Sequence, residues 1–325
     1  MNRFTISVAM CTFNGGRFLR AQLDSISAQT RPPDEFVVCD DGSHDDSAEI
    51  VQNFAERCPF PVRFSVNERN LKSTKNFEQT ILRCRGDIIV LADQDDVWYP
   101  QKLERFESVF SCASDTVAVF SDADLIDENS NRIGARLWST FSFDRRKQTR
   151  FASGHALEVL IRHPVVTGAT MAFRKVMFDE MTPIPEGEVH DRWISFLLAV
   201  RGHFELVPEP LMQYRRHQNQ QLGPGPLTFR GQVNQAKSGG EYIYRREIER
   251  FQDFYDQIGA KAGTYPNVQH AQAQIQRKIT HLRHRADLAQ TKITRIPVIF
   301  REALNGNYWR YSGGWKSIAN DLLIR

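Results

Sequence analysis

The sequence predicts an α/β fold: a doubly wound, mostly parallel sheet with flanking helices, followed by a C-terminal helical extension. Two observations carry that expectation. Short apolar runs of strand type alternate with segments of helical periodicity through the first 120 residues, the pattern of parallel strands joined by right-handed helical crossovers. Acidic clusters also follow several of the runs: Asp40-Asp41 after EFVVC, Asp93 with Asp95-Asp96 after DIIVLA, and Asp122 with Asp124 after TVAVFS. Ligands of such sheets bind outside the carboxyl ends of the strands, so acids remote in sequence are expected to gather on one rim.

Phe4, Ile6, Val8 and Met10 alternate with smaller or polar residues, the period of a strand. CTFNGG breaks it, and Phe18, Leu19, Gln22, Leu23 and Ile26 then recur at helical spacing. EFVVC is the second strand, and Asp46 or Ser47 is placed to cap a helix holding Ile50, Val51 and Phe54. VRFSV, a helix marked by Phe77, Ile81 and Cys84, and the strand DIIVLA continue the rhythm. A helix marked by Leu103, Phe106 and Phe110 and the strand TVAVF complete it. Farther on, VVTGATMAFR reads as a strand bent at Gly168, DRWISFLLAVRG as a buried helix, and FELVP and LMQYRR as two short strands.

The chain has 325 residues and 37.5 kDa, with 41% hydrophobic and 25% charged residues, enough for one large domain and an appendage. The expected division is an α/β domain carrying the acidic rim at 1–222, a mobile loop or linker at 223–240 beginning at GPGP, and a basic helical extension at 241–325. From residue 271 onward ten Lys and Arg face three Asp and Glu, on a chain whose net charge is only +3. A net negative body therefore precedes a basic tail, suited to an anionic membrane surface or to a solvated helical face. Five cysteines without a CxxC pair read as free thiols in a reducing compartment. No signal-like apolar core and no membrane-spanning run are visible, so a cytoplasmic protein is expected, at most peripheral to the membrane.

DQDD at 93–96 is the sharpest chemical signal. Mg²⁺ and Mn²⁺ prefer oxygen ligands, and magnesium usually takes one or two protein carboxylates with the remainder from water and phosphate. CDDGSHDDS reads either as a turn before an acidic helix start or as Asp40 or Asp41 accepting hydrogen bonds from a base or ribose. CTFNGG lacks both GxGxxG and GK[ST], which disfavours dinucleotide and Walker-type phosphate sites. It leaves Thr12, Phe13 and Asn14 as a nucleotide-contacting loop or an ordinary turn. Asp191 either caps its helix or takes a proton from a hydroxyl. His217 is a metal or phosphate ligand or a structural residue, and Arg215 and Arg216 neutralise a diphosphate or sit on the surface. An acidic body without a recognition motif excludes nucleic-acid binding.

Together SVAMCTFNGG, VVCDDGSHDDS, GDIIVLADQDDVW and VHDRWI closely resemble glycosyltransferase family 2, the inverting transferases of GT-A fold, in its bacterial rhamnosyltransferase-like branch. The resemblance covers about residues 4 to 220 and rests on the order and spacing of the motifs. It implies that Thr12, Phe13, Asn14, Asp40 and Asp41 meet the nucleotide, with Gln94 on the donor side. It further implies that Asp93 and Asp95 form the DxD engaging metal, ribose and diphosphate, with Asp95 and His217 as metal contacts. Asp191 takes the place of the catalytic base, in a chain that reads HDRW where many relatives have Glu-Asp. Gly168, Ala169, Thr170, His190, Arg192 and Trp193 take the acceptor side.

The implied activity is metal-dependent, inverting transfer of a sugar such as rhamnose from a dTDP- or UDP-linked donor. The implied acceptor is a saccharide or lipid-linked saccharide in surface polysaccharide synthesis. A nucleotidyltransferase would also bring acids and metal to an α/β sheet, but should carry a more basic phosphate loop than GGRF. A non-catalytic sugar-nucleotide-binding module would need no base at Asp191.

Overall fold

A computed structural model describes residues 3–217, 240–263, 265, 268–288 and 292–323. The linker expected at 223–240 lies almost wholly outside the described residues. The chain divides into two compact units, Met1–Gly154 with Val165–Gly223, and His155–Pro164 with Pro224–Arg325. The short segment His155–Pro164 thus leaves the span 1–222 and joins the C-terminal unit.

The first unit is built on a nine-stranded sheet. Its strands are β1 (Ile6–Thr12), β2 (Glu35–Asp40), β3 (Val62–Val66), β4 (Ile88–Ala92), β5 (Val97–Trp98), β6 (Thr116–Ile126), β7 (Arg132–Arg136), β8 (Met171–Arg174) and β9 (His203–Arg215). The order is β3-β2-β1-β4-β8-β6-β9-β5, with β7 paired to β6. β3, β2, β1 and β4 run parallel, as do β6 and β9; β8 is antiparallel to both β4 and β6. Helices α1 (Gly16–Ser27), α2 (Ser47–Ala55), α3 (Lys72–Arg83) and α4 (Lys102–Cys112) connect the early strands. α5 (Leu137–Thr140) and α6 (Arg145–Arg150) follow β7. α7 (Ala156–Arg162) belongs to the other unit, and α8 (His190–Arg201) precedes β9.

The apolar runs become strands because parallel strands covered on both faces are buried throughout. Ile6, Val8, Met10, Phe36, Val38 and Val90 enter one core with Leu23, Ile26, Leu103 and Phe106 from α1 and α4. Register then positions the rim: Thr12 lies opposite Asp40, and Met10 opposite Ala92, so Asp93 follows directly at the same edge.

Three expectations are corrected. β6 runs on to Ile126, so Asp122 does not end a strand; its Oδ1 accepts the backbone N–H groups of Ala123 and Trp138, both at 2.9 Å, and so orients the start of α5. FELVP and LMQYRR are one strand, β9. Its pairing with β6 shifts register between Ser121 and Asp122, where the partner moves from Val207 to Pro210, and this bulge accommodates prolines that have no N–H to donate. Residues 168–170 form a single 3₁₀ turn, leaving only Met171–Arg174 as strand.

The C-terminal unit is helical: α7 with α9 (Gly240–Ala260), α10 (Val268–Ala286), α11 (Lys292–Leu304), α12 (Asn307–Tyr311) and α13 (Trp315–Leu323). Ile299, Tyr308 and Ile318 form a small core beside two buried polar ties. Arg285 grips Asp321 with two bonds of 2.7 and 2.9 Å, and Glu302 accepts from His281 at 2.6 Å and His284 at 2.8 Å.

Candidate active site

One edge of the rim consists of two loops that bond to one another. After β1 the chain turns through Asn14, whose φ of +49° is a left-handed conformation that Asn tolerates. The N–H groups of Asn14, Gly15 and Gly16 donate to Ser43 Oγ, Ser47 Oγ and Asp45 Oδ2 at 2.9, 2.9 and 3.0 Å. In return, Asn14 Oδ1 accepts from the His44 N–H at 2.8 Å. Burial works to raise the proton affinity of Asp45, but the bonds from Ser47 and Gly16 outweigh it and hold the carboxyl below its usual value.

Within this pair of loops, Asp40 is fully buried. Its Oδ1 accepts from the Thr12 hydroxyl at 2.7 Å and the Ser43 hydroxyl at 2.6 Å, and its Oδ2 accepts from the Ser43 N–H at 2.8 Å. Asp41 is buried too, its Oδ1 accepting from Asn67 and from the Leu71 N–H, both at 2.8 Å. Thr12, Asn14, Asp40 and Asp41, expected at the nucleotide, thus each also bond within the protein and shape the loops. Phe13 and Asn14 are the exposed members, and Gln94 grips the Phe13 backbone, accepting from its N–H at 2.9 Å and donating to its carbonyl at 3.1 Å.

Behind these loops lies the acidic cluster. Asp93 has its proton affinity raised to about 7, first by burial and then by the negative charges of Asp95 and Asp191. The end of β4 and the start of α8 meet at Gly168, against which both Leu91 and Asp191 lie. Asp95 Oδ2 meets His217 Nε2 at 2.7 Å, and the Asp95 carbonyl accepts from Arg215 Nε at 2.7 Å. Arg215 is buried and also reaches the Asp127 carbonyl and Ser130, so it braces DQDD from within and is neither a surface charge nor a free phosphate ligand. Asp96 is buried with Oδ1 accepting the Arg215 N–H at 2.9 Å, and burial followed by repulsion from Asp95 and Asp93 raises its proton affinity strongly.

Asp191 occupies the first turn of α8. Its Oδ2 accepts the Gly168 N–H at 3.0 Å and its Oδ1 the Arg192 N–H at 2.6 Å. The other residues expected on the acceptor side are mostly interior. Gly168, Ala169 and Thr170 are buried. Trp193 is buried with its indole N–H donating to the Met181 carbonyl at 2.7 Å, which makes it a core residue. His190 is buried, stacked on Phe77 at 4.0 Å between ring centroids, and burial lowers its affinity for a proton. Arg192 is half-buried beside Asp191.

Lys102 was not anticipated. It is fully buried under the acidic cluster, with Nζ donating to the Ala169 carbonyl at 2.6 Å and lying 3.9 Å from the Trp98 ring centroid. Burial lowers its proton affinity to about 7, against the opposing pull of Asp96 and Asp93. Its spacing with Phe106 and Phe110 on α4 was the available signal, since it puts the lysine on the face that enters the core.

Among the described residues no group of three or more His, Cys, Asp or Glu side chains is arranged to hold a metal. The Asp95 carboxylate and the His217 imidazole, adjacent at 2.7 Å, nevertheless supply two donor atoms of types that divalent cations accept. This pair fits an ion whose remaining ligands come from a diphosphate.

A mixed sheet whose parallel strands end at an acidic rim, beside a pair of mutually bonded loops, is an α/β architecture of GT-A type. The family model for glycosyl transferase family 2 matches residues 7–182, and the chain belongs to that family.

Among curated relatives, an uncharacterised glycosyltransferase of Nostoc is 28% identical over 221 residues, covering 65% of this chain and 65% of the relative. The chain thus spans slightly less than two thirds of that relative's length. A dTDP-rhamnosyl transferase, RfbG of Shigella flexneri, is 24% identical over 74% of this chain and 82% of its own. Among solved structures, S. aureus TarS 1–349 with UDP-GlcNAc superposes with a TM-score of 0.60 at 13% identity, covering 98% of this chain and 90% of that one. The mannosyltransferase PcManGT of Pyrobaculum calidifontis with GDP-Man and Mn²⁺ gives 0.52 at 16% identity, covering 100% and 86%. At such identities these structures bear on the fold alone. No helix among the described residues is long and apolar enough to cross a membrane.

Proposed function

We propose that the protein transfers a sugar, with inversion, from a nucleoside diphosphate donor to a hydroxyl of a saccharide or lipid-linked saccharide. The observation that carries the reading is the turn at Gly168, whose N–H binds Asp191 Oδ2 at 3.0 Å while the glycine lies against Leu91, two residues before Asp93. Negative charge so concentrated suits a donor brought in with a cation.

Asp191 is held by backbone N–H groups on both carboxylate oxygens, Gly168 on one and Arg192 on the other. This fixes its rotamer while leaving lone pairs able to accept a proton from an incoming hydroxyl. Asp191 thus acts as general base as the acceptor oxygen attacks the anomeric carbon and the nucleoside diphosphate departs on the opposite side. Asp95 and His217 would hold Mg²⁺ or Mn²⁺, which supplies stabilisation of charge on the leaving diphosphate. Gln94 fixes the loop that presents Phe13 to the nucleotide. The likeness to RfbG supports dTDP-rhamnose as first donor to test, with UDP-linked sugars next and a place in surface polysaccharide synthesis.

The test is release of nucleoside diphosphate from a panel of sugar nucleotides with Mn²⁺ and a saccharide acceptor, comparing the parent with Asp191→Asn. Loss of a positioned base lowers turnover by roughly 10² to 10⁴-fold, while donor affinity is retained. Near-parental turnover of Asp191→Asn would falsify the assignment of the base.

A further inference from the structure

Four large apolar side chains stand exposed on the last helices of the C-terminal unit: Ile296 at 50%, Phe300 at 62%, Leu304 at 72% and Trp315 at 71%. Ile296, Phe300 and Leu304 recur every fourth residue, so they lie along one side of α11. With Trp309, Trp315 and Leu322 they line a groove of about 340 Å³ between α11, α12 and α13. The four exposed side chains amount to on the order of 500 Å² of apolar surface, the upper range of what a soluble monomer leaves uncovered.

The charge around this groove is one-sided. From Lys292 to Leu323 the acids are Glu302 and Asp321, and both are buried in ion pairs with His281 and Arg285. Arg301, Arg310 and Lys316 remain exposed. The segment therefore presents apolar and aromatic groups together with positive charge, and its acids are neutralised inside. A second copy of the chain, paired about a two-fold axis, would bring these like charges together. An anionic lipid surface complements both features at once, taking the apolar side chains below its headgroups and the cations among them.

We propose that the groove and rim formed by α11, α12 and α13 dock on an anionic membrane surface, placing the C-terminal unit in the interface without spanning it. The inference uses no residue of the donor site, so it stands or falls apart from the catalytic reading.

The experiment is sedimentation of the full chain with phosphatidylcholine vesicles and with vesicles containing phosphatidylglycerol. Each cation near such a surface contributes roughly fivefold in partitioning, so three give about a hundredfold preference for the anionic vesicles. Phe300→Ser combined with Leu304→Ser, checked for folding by circular dichroism, is expected to weaken binding at least tenfold. Val176→Ser, which removes an exposed side chain of the first unit, should leave it unchanged. Trp98, Trp138 and Trp193 are buried, so quenching of tryptophan emission by brominated lipid reports Trp309 and Trp315. Equal binding to both vesicle types, or parental binding by the double serine variant, overturns the proposal. So does a parent dimer in light scattering that this variant dissolves while no vesicle binding is seen.

Discussion

Replacing Lys102 by Met tests whether the buried ammonium holds the floor of the acidic site. The two side chains are similar in length, so the change removes charge and donors with little change of volume. Charged Lys102 bears a desolvation penalty visible in its proton affinity, which falls from 10.5 to about 7; at 1.36 kcal/mol per pH unit that is about 5 kcal/mol. Against it stand the bond to Ala169 and the Trp98 ring at 3.9 Å. Leaving the Ala169 carbonyl without its donor costs about 1 to 3 kcal/mol, and the ring contact is worth about 2 kcal/mol when desolvated. These terms nearly cancel at neutral pH, so the stability of Lys102→Met there says little.

The slope with pH is what discriminates. A lysine with a lowered folded proton affinity binds fewer protons than in the unfolded chain between about 7 and 10.5. Stability therefore rises with pH across that window. From pH 7 to 9 the parent should gain about 2 kcal/mol from this group, and Lys102→Met should lack that gain. Urea unfolding at pH 7, 8 and 9, in metal-free buffer and without donor, measures the difference. Parallel stability profiles for parent and variant would refute the reasoning.

Gly15→Ala would push its new methyl into Gln94 Oε1, although Gly15 at φ −103° is in a conformation open to any residue. Gln94 must then release both backbone groups of Phe13, a loss of about 2 kcal/mol. Hydrogen exchange should show the Phe13 amide deprotected, with donor affinity down by roughly 10 to 30-fold; unchanged protection would contradict the role of Gln94. In the C-terminal unit, burial alone would raise the proton affinity of Glu302, but bonds from His281, Asn307 and His284 hold it at about 2. A carboxyl so depressed contributes stability above its unfolded value of 4.5 and loses it as pH falls toward 2. The parent should lose about 2 to 3 kcal/mol between pH 5 and 2 from this group, and Glu302→Gln should not. Acid titration followed by circular dichroism decides, and identical acid transitions would refute it.

The parallel half of the sheet was legible because strands buried on both faces must be written in apolar runs, as in EFVVC and DIIVLA. The antiparallel additions were not. β5 is the two residues Val97–Trp98, and β7 is the exposed ribbon RIGAR, with too little side-chain pattern to separate it from a loop. In the site, the residue types of Asp93, Asp95, Asp191 and His217 were readable in the sequence, and the structure sets Asp95 against His217 and Asp191 against Gly168. The internal bonds of Asp40, Asp41 and Trp193 were not readable, because they depend on partners distant in sequence such as Thr12, Asn67 and Met181. Lys102 escaped for the same reason: its carbonyl and thioether partners, Ala169 and Met212, lie 67 and 110 residues away.

The reciprocal bonding of residues 14–16 with residues 43–47 makes two segments of chain a single mechanical part. A change in either must be felt by the other, so paired substitutions at Asn14 and Ser43 will not sum, and grafting one segment from a relative with another donor preference would leave its counterpart mismatched. Either segment therefore keeps its shape only when the two are exchanged together.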